Sequence, residues 1–225
     1  MNNTFKRKEL KFRLTEEQRE SFIKIISAYI EKDKFSNYTI CNVYFDTPDA
    51  RLIRRSIEKP VYKEKMRVRS YGKASDESKV FIELKKKFDG VVYKRRVNMP
   101  MDEAFSYIAG DSSRSGQIEN EIDYFIDMYE GISPAMYIAY DRQAFYVRED
   151  PELRITFDNN IMWRDEDISL KSEVYGHQLL EKGECLMEIK CAGAMPLWLV
   201  RALAEHKIYK TSFSKYGKAY LQKLA

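Results

Sequence analysis

Residues 65–69 read Lys-Met-Arg-Val-Arg, and this stretch does most to decide the fold. Successive side chains of a β-strand point to opposite faces of the sheet. The three cations therefore share one face, and the two apolar residues share the other. A helix would place face-sharing residues three or four positions apart, so the alternation predicts a strand, here over Tyr62–Tyr71.

The same alternation recurs in six further stretches. Their charged or polar positions include Glu9 with Lys11, Glu83 with Lys85, Lys94 with Arg96, Tyr140 with Arg142, Arg154 with Thr156 and Asp158, and Glu188 with Lys190. One wet face is the ordinary interpretation for any single antiparallel strand. Here the shared face is mainly lysine and arginine, although like charges on neighbouring strands repel one another. A bound polyanion would explain such a concentration of cations, and arginine can pair bidentately with phosphate oxygens.

The arrangement of predicted elements favours an α+β fold with a mostly antiparallel sheet. If the sheet closes into a barrel, the cations point into a hydrated lumen and the apolar residues face flanking helices. The predicted helices are Thr15–Glu31, Ala50–Ile57, Asp102–Ala109, Gln117–Tyr129, a segment from Pro196, and Ser212–Leu224. Predicted strands also include Tyr38–Phe45. We find no Pro/Gly-rich linker or internal repeat, and we expect residues 1–225 to form one domain.

Three glutamates stand two positions before a lysine on these charged faces: Glu9, Glu83 and Glu188. Three unrelated ion pairs are the ordinary explanation. However, acids inside a cationic lumen oppose anion binding unless they hold a divalent cation. Carboxylate oxygens suit Mg²⁺ or Mn²⁺, which also bridge phosphate oxygens. The pattern therefore makes these three residues candidate metal ligands.

The composition excludes several other classes of protein. Apolar residues make up 44% of the 225 residues and charged residues 33%, with a net charge of only +4, so a folded core is expected. Three cysteines without a CxxC pair predict neither a disulfide framework nor a zinc site and suit a cytoplasmic location. No apolar run approaches the roughly 18 residues of a membrane span. Two distant histidines, His177 and His206, give no motif for nucleophilic catalysis, and no P-loop motif is found.

The sequence resembles the triphosphate tunnel metalloenzymes, and within them the vacuolar transporter chaperone (VTC) polyphosphate polymerases. Glu9-Leu10-Lys11 resembles the ExK signature of that superfamily. The other matching pieces, in family order, are Tyr44-Phe45-Asp46, Arg67-Val68-Arg69-Ser70-Tyr71-Gly72, Phe81-Ile82-Glu83-Leu84-Lys85, Tyr140-Asp141-Arg142-Gln143-Ala144-Phe145, Arg154-Ile155-Thr156-Phe157-Asp158, Met187-Glu188-Ile189-Lys190 and Phe213-Ser214-Lys215-Tyr216. Together they cover nearly the whole chain.

The resemblance implies an eight-stranded antiparallel tunnel and metal-dependent transfer of the ATP γ-phosphoryl group to a growing polyphosphate chain. Glu188 would be the principal metal ligand, helped by Glu9 or Glu83. The expected catalytic residues are Arg67, Arg69, Lys85, Arg142 and Glu188. The face pattern and the resemblance add further phosphate-binding candidates: Lys11, Lys65, Lys94, Arg96, Tyr140, Arg154, Lys190, Ser214 and Lys215. Of these, Ser214 and Lys215 would close one mouth of the tunnel from a C-terminal helix.

Two departures from the family pattern bear on the activity. Arg7 stands where related triphosphatases carry the first glutamate of ExExK, which favours a polymerase over a hydrolase. Ser212 replaces a lysine expected in fungal members, which leaves one mouth contact in doubt. We expect a stand-alone bacterial catalytic domain without an SPX-like domain or a membrane segment. Delivery of product across a membrane would then depend on a membrane-protein partner.

Two alternatives to a polymerase stay open at this point. One is a hydrolase of inorganic triphosphate or nucleoside triphosphates that uses the same tunnel. The other is a non-catalytic module that binds polyphosphate or RNA. The basic runs around Lys86 and Arg95 fall partly on the apolar face and suit a solvated hairpin end, so we expect no stable nucleic-acid partner.

Overall fold

The computed structural model describes residues 8–89, 91–111 and 115–225, apart from the side chain of Phe35; Arg7 lies outside this range. The strands are β1 Lys8–Thr15, β2 Ile30–Asp46, β3 Tyr62–Tyr71, β4 Lys79–Phe88, β5 Val91–Pro100, β6 Ser133–Val147, β7 Asp150–Arg164, β8 His177–Gln178, β9 Glu184–Cys191 and β10 Lys210–Thr211. The helices are α1 Glu16–Ile26, α2 Arg51–Ile57, α3 Met101–Ala109, α4 Gln117–Met128, α5 Leu197–Glu205 and α6 Lys215–Leu224. The predicted α+β class is confirmed.

The strands form a sheet in the order β10-β1-β9-β7-β6-β2-β3-β4-β5, with β8 paired to β7. Eight of the ten strands have eight or more residues, and β8 and β10 are pairs of two residues. The neighbours with a defined register are antiparallel. The predicted eight long, mostly antiparallel strands are therefore confirmed. Within the described ranges, no hydrogen-bonded pairing joins β5 back to β1 or β10, so closure of the barrel by backbone pairing is not observed.

The chain divides into two compact units, each with its own core. Unit 1 comprises the described residues up to Thr39, with Tyr140–Ile161 and Gln178–Ser214. Unit 2 comprises Ile40–Ala139, Met162–His177 and Lys215–Ala225. Each described helix is too short or too polar to cross a membrane.

The core of unit 1 lies between the apolar strand face and helices α1 and α5. Phe12 of β1, Phe157 of β7 and Met187 of β9 are buried in one cluster with Phe22 of α1 and Leu199 of α5. Because these positions alternate with the charged ones, the apolar faces of the strands pack on the helices. The charged side chains are therefore left on the opposite face of the sheet.

The core of unit 2 repeats this arrangement with helices α3 and α4. Met66 and Val68 of β3 and Leu84 of β4 are fully buried in one cluster with Ala104 of α3 and Phe125 of α4. The cationic positions between them, Lys65, Arg67 and Arg69, therefore lie on the face that these helices do not cover. The predicted inversion, with apolar residues toward helices and cations on the other face, holds within each unit.

Helix α1 begins as predicted but ends earlier. Thr15 Oγ1 accepts a hydrogen bond from the Gln18 backbone N–H at 3.2 Å, and Gln18 Oε1 accepts one from the Thr15 backbone N–H at 3.1 Å. This reciprocal pair is the predicted capping box. The helix was expected to continue to Glu31, but it ends at Ile26, and β2 begins at Ile30. Backbone pairing in the long β2 strand overrides the helical spacing of the last apolar residues.

Candidate active site

Unit 1 brings several of the predicted site residues into one group, which we call the Glu188 cluster: Glu9 and Lys11 of β1, Arg142 of β6, Thr156 and Asp158 of β7, and Glu188 and Lys190 of β9. Strand register places them together. Glu188 lies opposite both Lys11 and Thr156, and Lys190 lies opposite Glu9. Residues two apart on one strand share a face, so both rows lie on the same side of the sheet.

Glu188 is nearly buried and is surrounded by cations. Its carboxylate oxygens lie 3.3 Å from Lys11 Nζ, 3.5 Å from Lys190 Nζ and 3.6 Å from the Arg142 guanidinium. Lys11 Nζ also lies 3.4 Å from a Glu9 carboxylate oxygen. The cluster therefore combines two carboxylates on adjacent strands with three basic groups.

Arg142 is fixed by Asp158, a residue that the sequence analysis did not select for the site. Arg142 Nε and Nη2 donate to the two Asp158 carboxylate oxygens at 2.6 and 2.7 Å, and Asp158 is fully buried. Burial opposes the charged form of Arg142, but Asp158 outweighs it and raises the pKa of the guanidinium. A bidentate pair fixes the plane of the guanidinium. The signal for Asp158 was present, because it alternates with Ile155 and Phe157 on the charged face of β7.

Thr156 also belongs to this cluster. The sequence predicted it only as a polar position of its strand and not as a site residue. It is buried opposite Glu188, and its hydroxyl oxygen has no hydrogen-bond partner among the described residues. A buried hydroxyl without a partner costs about 1–3 kcal/mol. The cluster therefore contains an oxygen that could contact a bound ligand.

Unit 2 assembles a second group, which we call the cation ladder. The rungs are set by register: Arg67, Glu83 and Arg96 lie side by side across β3, β4 and β5, as do Lys65, Lys85 and Lys94. The ladder comprises Lys63, Lys65, Arg67, Arg69, Lys85, Lys87, Lys94 and Arg96, with Glu83 among them. Because they alternate with core residues, these side chains share the face opposite helices α3 and α4.

Glu83 is 2% exposed and holds four cations of the ladder. Its carboxylate oxygens lie 2.7 Å from Arg67 Nη2, 3.5 Å from Arg69 Nη2, 2.6 Å from Lys94 Nζ and 3.5 Å from Arg96 Nε. Burial would raise the pKa of Glu83, but the cations outweigh it and hold this pKa well below its ordinary value. The carboxylate therefore stays ionised and fixes the arginines in place.

The C-terminal helix α6 contacts the edge of the ladder through Tyr216. The Tyr216 hydroxyl donates to Asp46 Oδ2 at 2.8 Å, and its ring stacks on Tyr44 with centroids 4.7 Å apart. Tyr44 in turn accepts a hydrogen bond from Arg67 Nη1 at 2.8 Å, and Lys65 Nζ lies 5.8 Å from the Tyr216 ring centroid. Tyr44, Asp46 and Tyr216 were not among the site residues predicted from the sequence.

Tyr216→Phe should lower the free energy of unfolding by about 1.5–3 kcal/mol, because a buried carboxylate loses a hydrogen-bond donor. Burial and Asp46 both raise the pKa of Tyr216, so its phenol is a donor across the ordinary pH range. Urea unfolding measures the change. Tyr124→Phe is the matched control, since Tyr124 is 66% exposed in the same unit. Equal stabilities for both variants would show that the Asp46 contact contributes nothing.

The remaining predicted residues have varied surroundings. Arg154 is exposed and lies 3.2 Å from the Asp33 carboxylate. Tyr140 is buried, with its ring centroid 5.2 Å from the Arg142 guanidinium carbon. Ser214 is exposed, whereas Lys215, the first residue of α6, is 8% exposed. Lys11 Nζ donates to the carbonyl of Phe213 at 2.9 Å, which places the segment before Ser214 beside the Glu188 cluster.

Within residues 8–89, 91–111 and 115–225, no group of three or more His, Cys, Asp or Glu side chains is arranged to hold a metal ion by itself. Mg²⁺ is commonly held by one or two carboxylates together with substrate phosphates. Glu9 and Glu188, with the Thr156 hydroxyl, would be the oxygen donors for such an ion in the Glu188 cluster. Glu83, the third predicted metal ligand, already has four cations around its carboxylate.

The fold is α+β with a large antiparallel sheet, and each unit carries a group of cations around a buried carboxylate. The VTC domain model matches residues 6–223, and the chain belongs to the VTC domain family. A search of curated proteins found no match.

Solved structures with this fold include three adenylate cyclase candidates. One, from Vibrio parahaemolyticus, is 14% identical with a TM-score of 0.53 and covers 95% of this chain and 97% of its own. Another, from Bacillus halodurans, is 13% identical with a TM-score of 0.58 and covers 93% and 95%. The third is HpAC1 from Hippeastrum, described as having a dominant triphosphatase activity, at 16% identity, a TM-score of 0.51 and 92% coverage of both chains. These likenesses establish the fold.

Proposed function

We propose that the protein is a metal-dependent polyphosphate polymerase that transfers the ATP γ-phosphoryl group to a growing polyphosphate chain. The cation ladder is the observation that carries this proposal. Successive rows on one strand face are about 6.4–6.8 Å apart, so the four rows from Lys63 to Arg69 extend over about 20 Å. An extended row of cations complements a linear polyanion, whose charges repeat along its length.

The arginines of the ladder are suited to grip phosphoryl groups. Arg67 and Arg69 are held by Glu83, so their guanidinium planes are oriented before a ligand binds. Lys85 and Lys94 add charge from neighbouring strands. Glu83 itself serves, in this proposal, as the counter-ion that permits the cations to pack together rather than as a metal ligand. An oriented arginine loses less freedom on binding phosphate than a mobile lysine.

The Glu188 cluster is the proposed site of the metal-bound triphosphate. Glu188 and Glu9 would hold Mg²⁺ or Mn²⁺, which would supply positive charge to neutralise the phosphates. Arg142, fixed by Asp158, would donate hydrogen bonds to the phosphate and form an ion pair with it. Lys11 and Lys190 would add positive charge. Phosphoryl transfer needs positioning and charge neutralisation more than covalent catalysis. The proposal accordingly assigns no nucleophilic side chain.

Incubation of the purified protein with ATP and Mn²⁺ tests this function. Long polyphosphate chains on a gel support the polymerase. Release of orthophosphate alone would instead identify a triphosphatase, the second enzyme that such a site could support. Absence of turnover with tight, salt-sensitive polyphosphate binding would identify a binding module.

Arg67→Ala should raise the apparent KM for ATP or polyphosphate and lower kcat, because it removes an oriented phosphate contact. Truncating a hydrogen-bonded charged partner commonly costs about 2–5 kcal/mol, or roughly 30- to 5,000-fold in kcat/KM. Initial rates over a range of substrate concentrations measure the change.

Arg95→Ala is the matched control for Arg67. Arg95 lies on the opposite strand face and donates to Glu121 of α4 at 2.9 Å. Its loss should leave kcat/KM unchanged. Wild-type kinetics in the Arg67 variant would place Arg67 outside the site.

We also propose a cytoplasmic location and a membrane-protein partner for product delivery. The three cysteines are buried and free, which supports a reducing compartment.

A further inference from the structure

Two aromatic rings lie on the charged face of unit 2, at one end of the cation ladder. Tyr71 follows Arg69 by two positions on β3, so both side chains lie on the same face of the sheet. Phe81 of β4 lies opposite Arg69, and Asn98 of β5 lies opposite Phe81. We call Tyr71, Phe81 and Asn98 the aromatic shelf. None of the three was predicted to be a site residue.

The position of these rings differs from that of the other aromatic residues in the same strands. The register of β3, β4 and β5 places the others on the face that packs against the helices: Tyr62, Phe88 and Tyr93. Tyr71 is 49% exposed and Asn98 is also exposed, so burial in the core does not account for their placement. An exposed ring beside a row of cations is a surface on which a planar, charged ligand can stack.

The shelf is held in place by Arg96 of the ladder. The Arg96 guanidinium carbon lies 3.5 Å from the centroid of the Phe81 ring, and Arg96 Nη2 donates to the Tyr71 hydroxyl at 3.2 Å. The Tyr71 and Phe81 rings meet edge to face, with centroids 5.6 Å apart. Arg96 Nε also lies 3.5 Å from a Glu83 carboxylate oxygen, so this residue joins the rings to the ladder. The rings and the guanidinium are therefore oriented before a ligand binds.

This combination of groups matches a nucleotide better than a chain of phosphates alone. Nucleobases stack on aromatic rings and on arginine planes, and such stacking is worth about 1–3 kcal/mol per base. The Asn98 carboxamide presents a donor and an acceptor side by side, as the edge of a base does. Cations in the adjoining rows suit phosphates, whereas a linear polyphosphate has no planar group for the rings to contact.

We infer that the aromatic shelf binds the base of a nucleotide whose phosphates lie on the adjoining rows of the cation ladder. Arg96 and, one row further along β5, Lys94 have side chains that are 34% and 45% exposed, so both are accessible to phosphate oxygens. The order along the strands is then base first and phosphates after it. The inference rests on the proposed function, which assigns the ladder to phosphate binding, and adds a subsite for the nucleoside.

Calorimetry with ATP and with inorganic tripolyphosphate, each with Mg²⁺, tests the inference. Tyr71→Leu removes the exposed ring and should weaken ATP binding by about 5- to 150-fold, the loss of one base stack. Its affinity for tripolyphosphate should not change, which also shows that the variant is folded. Tyr71→Phe keeps the ring and should retain the ATP affinity of the wild type. Asn98→Ala should weaken the binding of ATP but not of tripolyphosphate.

Tyr124→Leu is the matched control, because Tyr124 is 66% exposed on α4, which packs against the opposite face of the sheet in the same unit. It should leave both affinities unchanged. Wild-type ATP affinity in Tyr71→Leu would overturn the inference and leave the proposed function standing. Equal weakening of both ligands in Tyr71→Leu would also overturn it, because the ring would then support the ladder and not a base. Failure of the wild-type protein to bind either ligand would refute the proposed function itself.

Discussion

Glu188→Gln is expected to abolish turnover while the protein remains folded. The substitution keeps the size of the side chain and removes the negative charge that three cations surround. A neutral amide holds Mg²⁺ or Mn²⁺ poorly, because these ions prefer charged oxygen ligands. Loss even of an outer partner of a metal site typically costs 10- to 100-fold, so we expect a loss of at least about 100-fold in kcat.

Anion binding without metal separates a metal role from a structural one. If Glu188 serves to hold the ion, its removal should leave tripolyphosphate binding in a chelator equal to or tighter than that of the wild type, since one repulsive charge is gone. Glu184→Gln is the matched control on the same strand, where Glu184 lies 2.5 Å from Arg13. It should retain turnover. Full activity of Glu188→Gln would refute the metal role.

Much of the fold was predictable because the period-two pattern is a local property of each strand. Lys65, Arg67 and Arg69 share a face wherever the strand pairs, so the pattern fixed that face before any partner was known. The same pattern predicted six of the other long strands, whereas the Tyr38–Phe45 strand does not show it, and the number eight was implied by the resemblance to the tunnel family. The end of helix α1 could not be predicted in this way. The strand β2 begins at Ile30 and pairs with strands that are distant in sequence, and the spacing of apolar residues within the helix does not reveal such pairing.

The sequence could predict which site residues are charged and which strand face they share, but not which of them contact one another. Glu188 and its three cations share faces that the sequence displays. The ion pair between Asp158 and Arg142 depends on β6 and β7 being neighbours in the sheet, which the sequence alone does not show. The role of Glu83 depended on register as well, since Glu83 stood beside Lys85 in sequence but contacts Arg67 and Lys94 across strands. Register is a long-range property.

Glu83→Gln is expected to produce the largest loss of stability in unit 2. The buried carboxylate lies within 3.5 Å of two cations and within 2.7 Å of two more. Without its charge, the four cations repel one another with no compensating acid among them. Removing one partner of a buried ion pair typically costs about 3–5 kcal/mol, and urea unfolding at neutral pH should show a decrease of that size.

The pH dependence of this stability has a definite sign. The folded pKa of Glu83 lies below the ordinary value of 4.5, so the folded protein favours the ionised form. The contribution is therefore fully present above pH 4.5 and is lost progressively as the pH falls toward the folded pKa. The difference in unfolding free energy between wild type and Glu83→Gln should shrink as the pH is lowered below 4.5. An unchanged difference there would contradict the ionised state.

Added polyphosphate distinguishes electrostatic repulsion from a packing defect in the Glu83 variant. An anion that binds the folded ladder supplies the missing negative charge, so it should raise the unfolding free energy of Glu83→Gln more than that of the wild type. Glu121→Gln, which loses only the half-exposed pair with Arg95, should cost no more than about 1 kcal/mol and respond as the wild type does. Equal stabilisation of all three proteins by polyphosphate would show that the ladder cations do not depend on Glu83 for their charge balance.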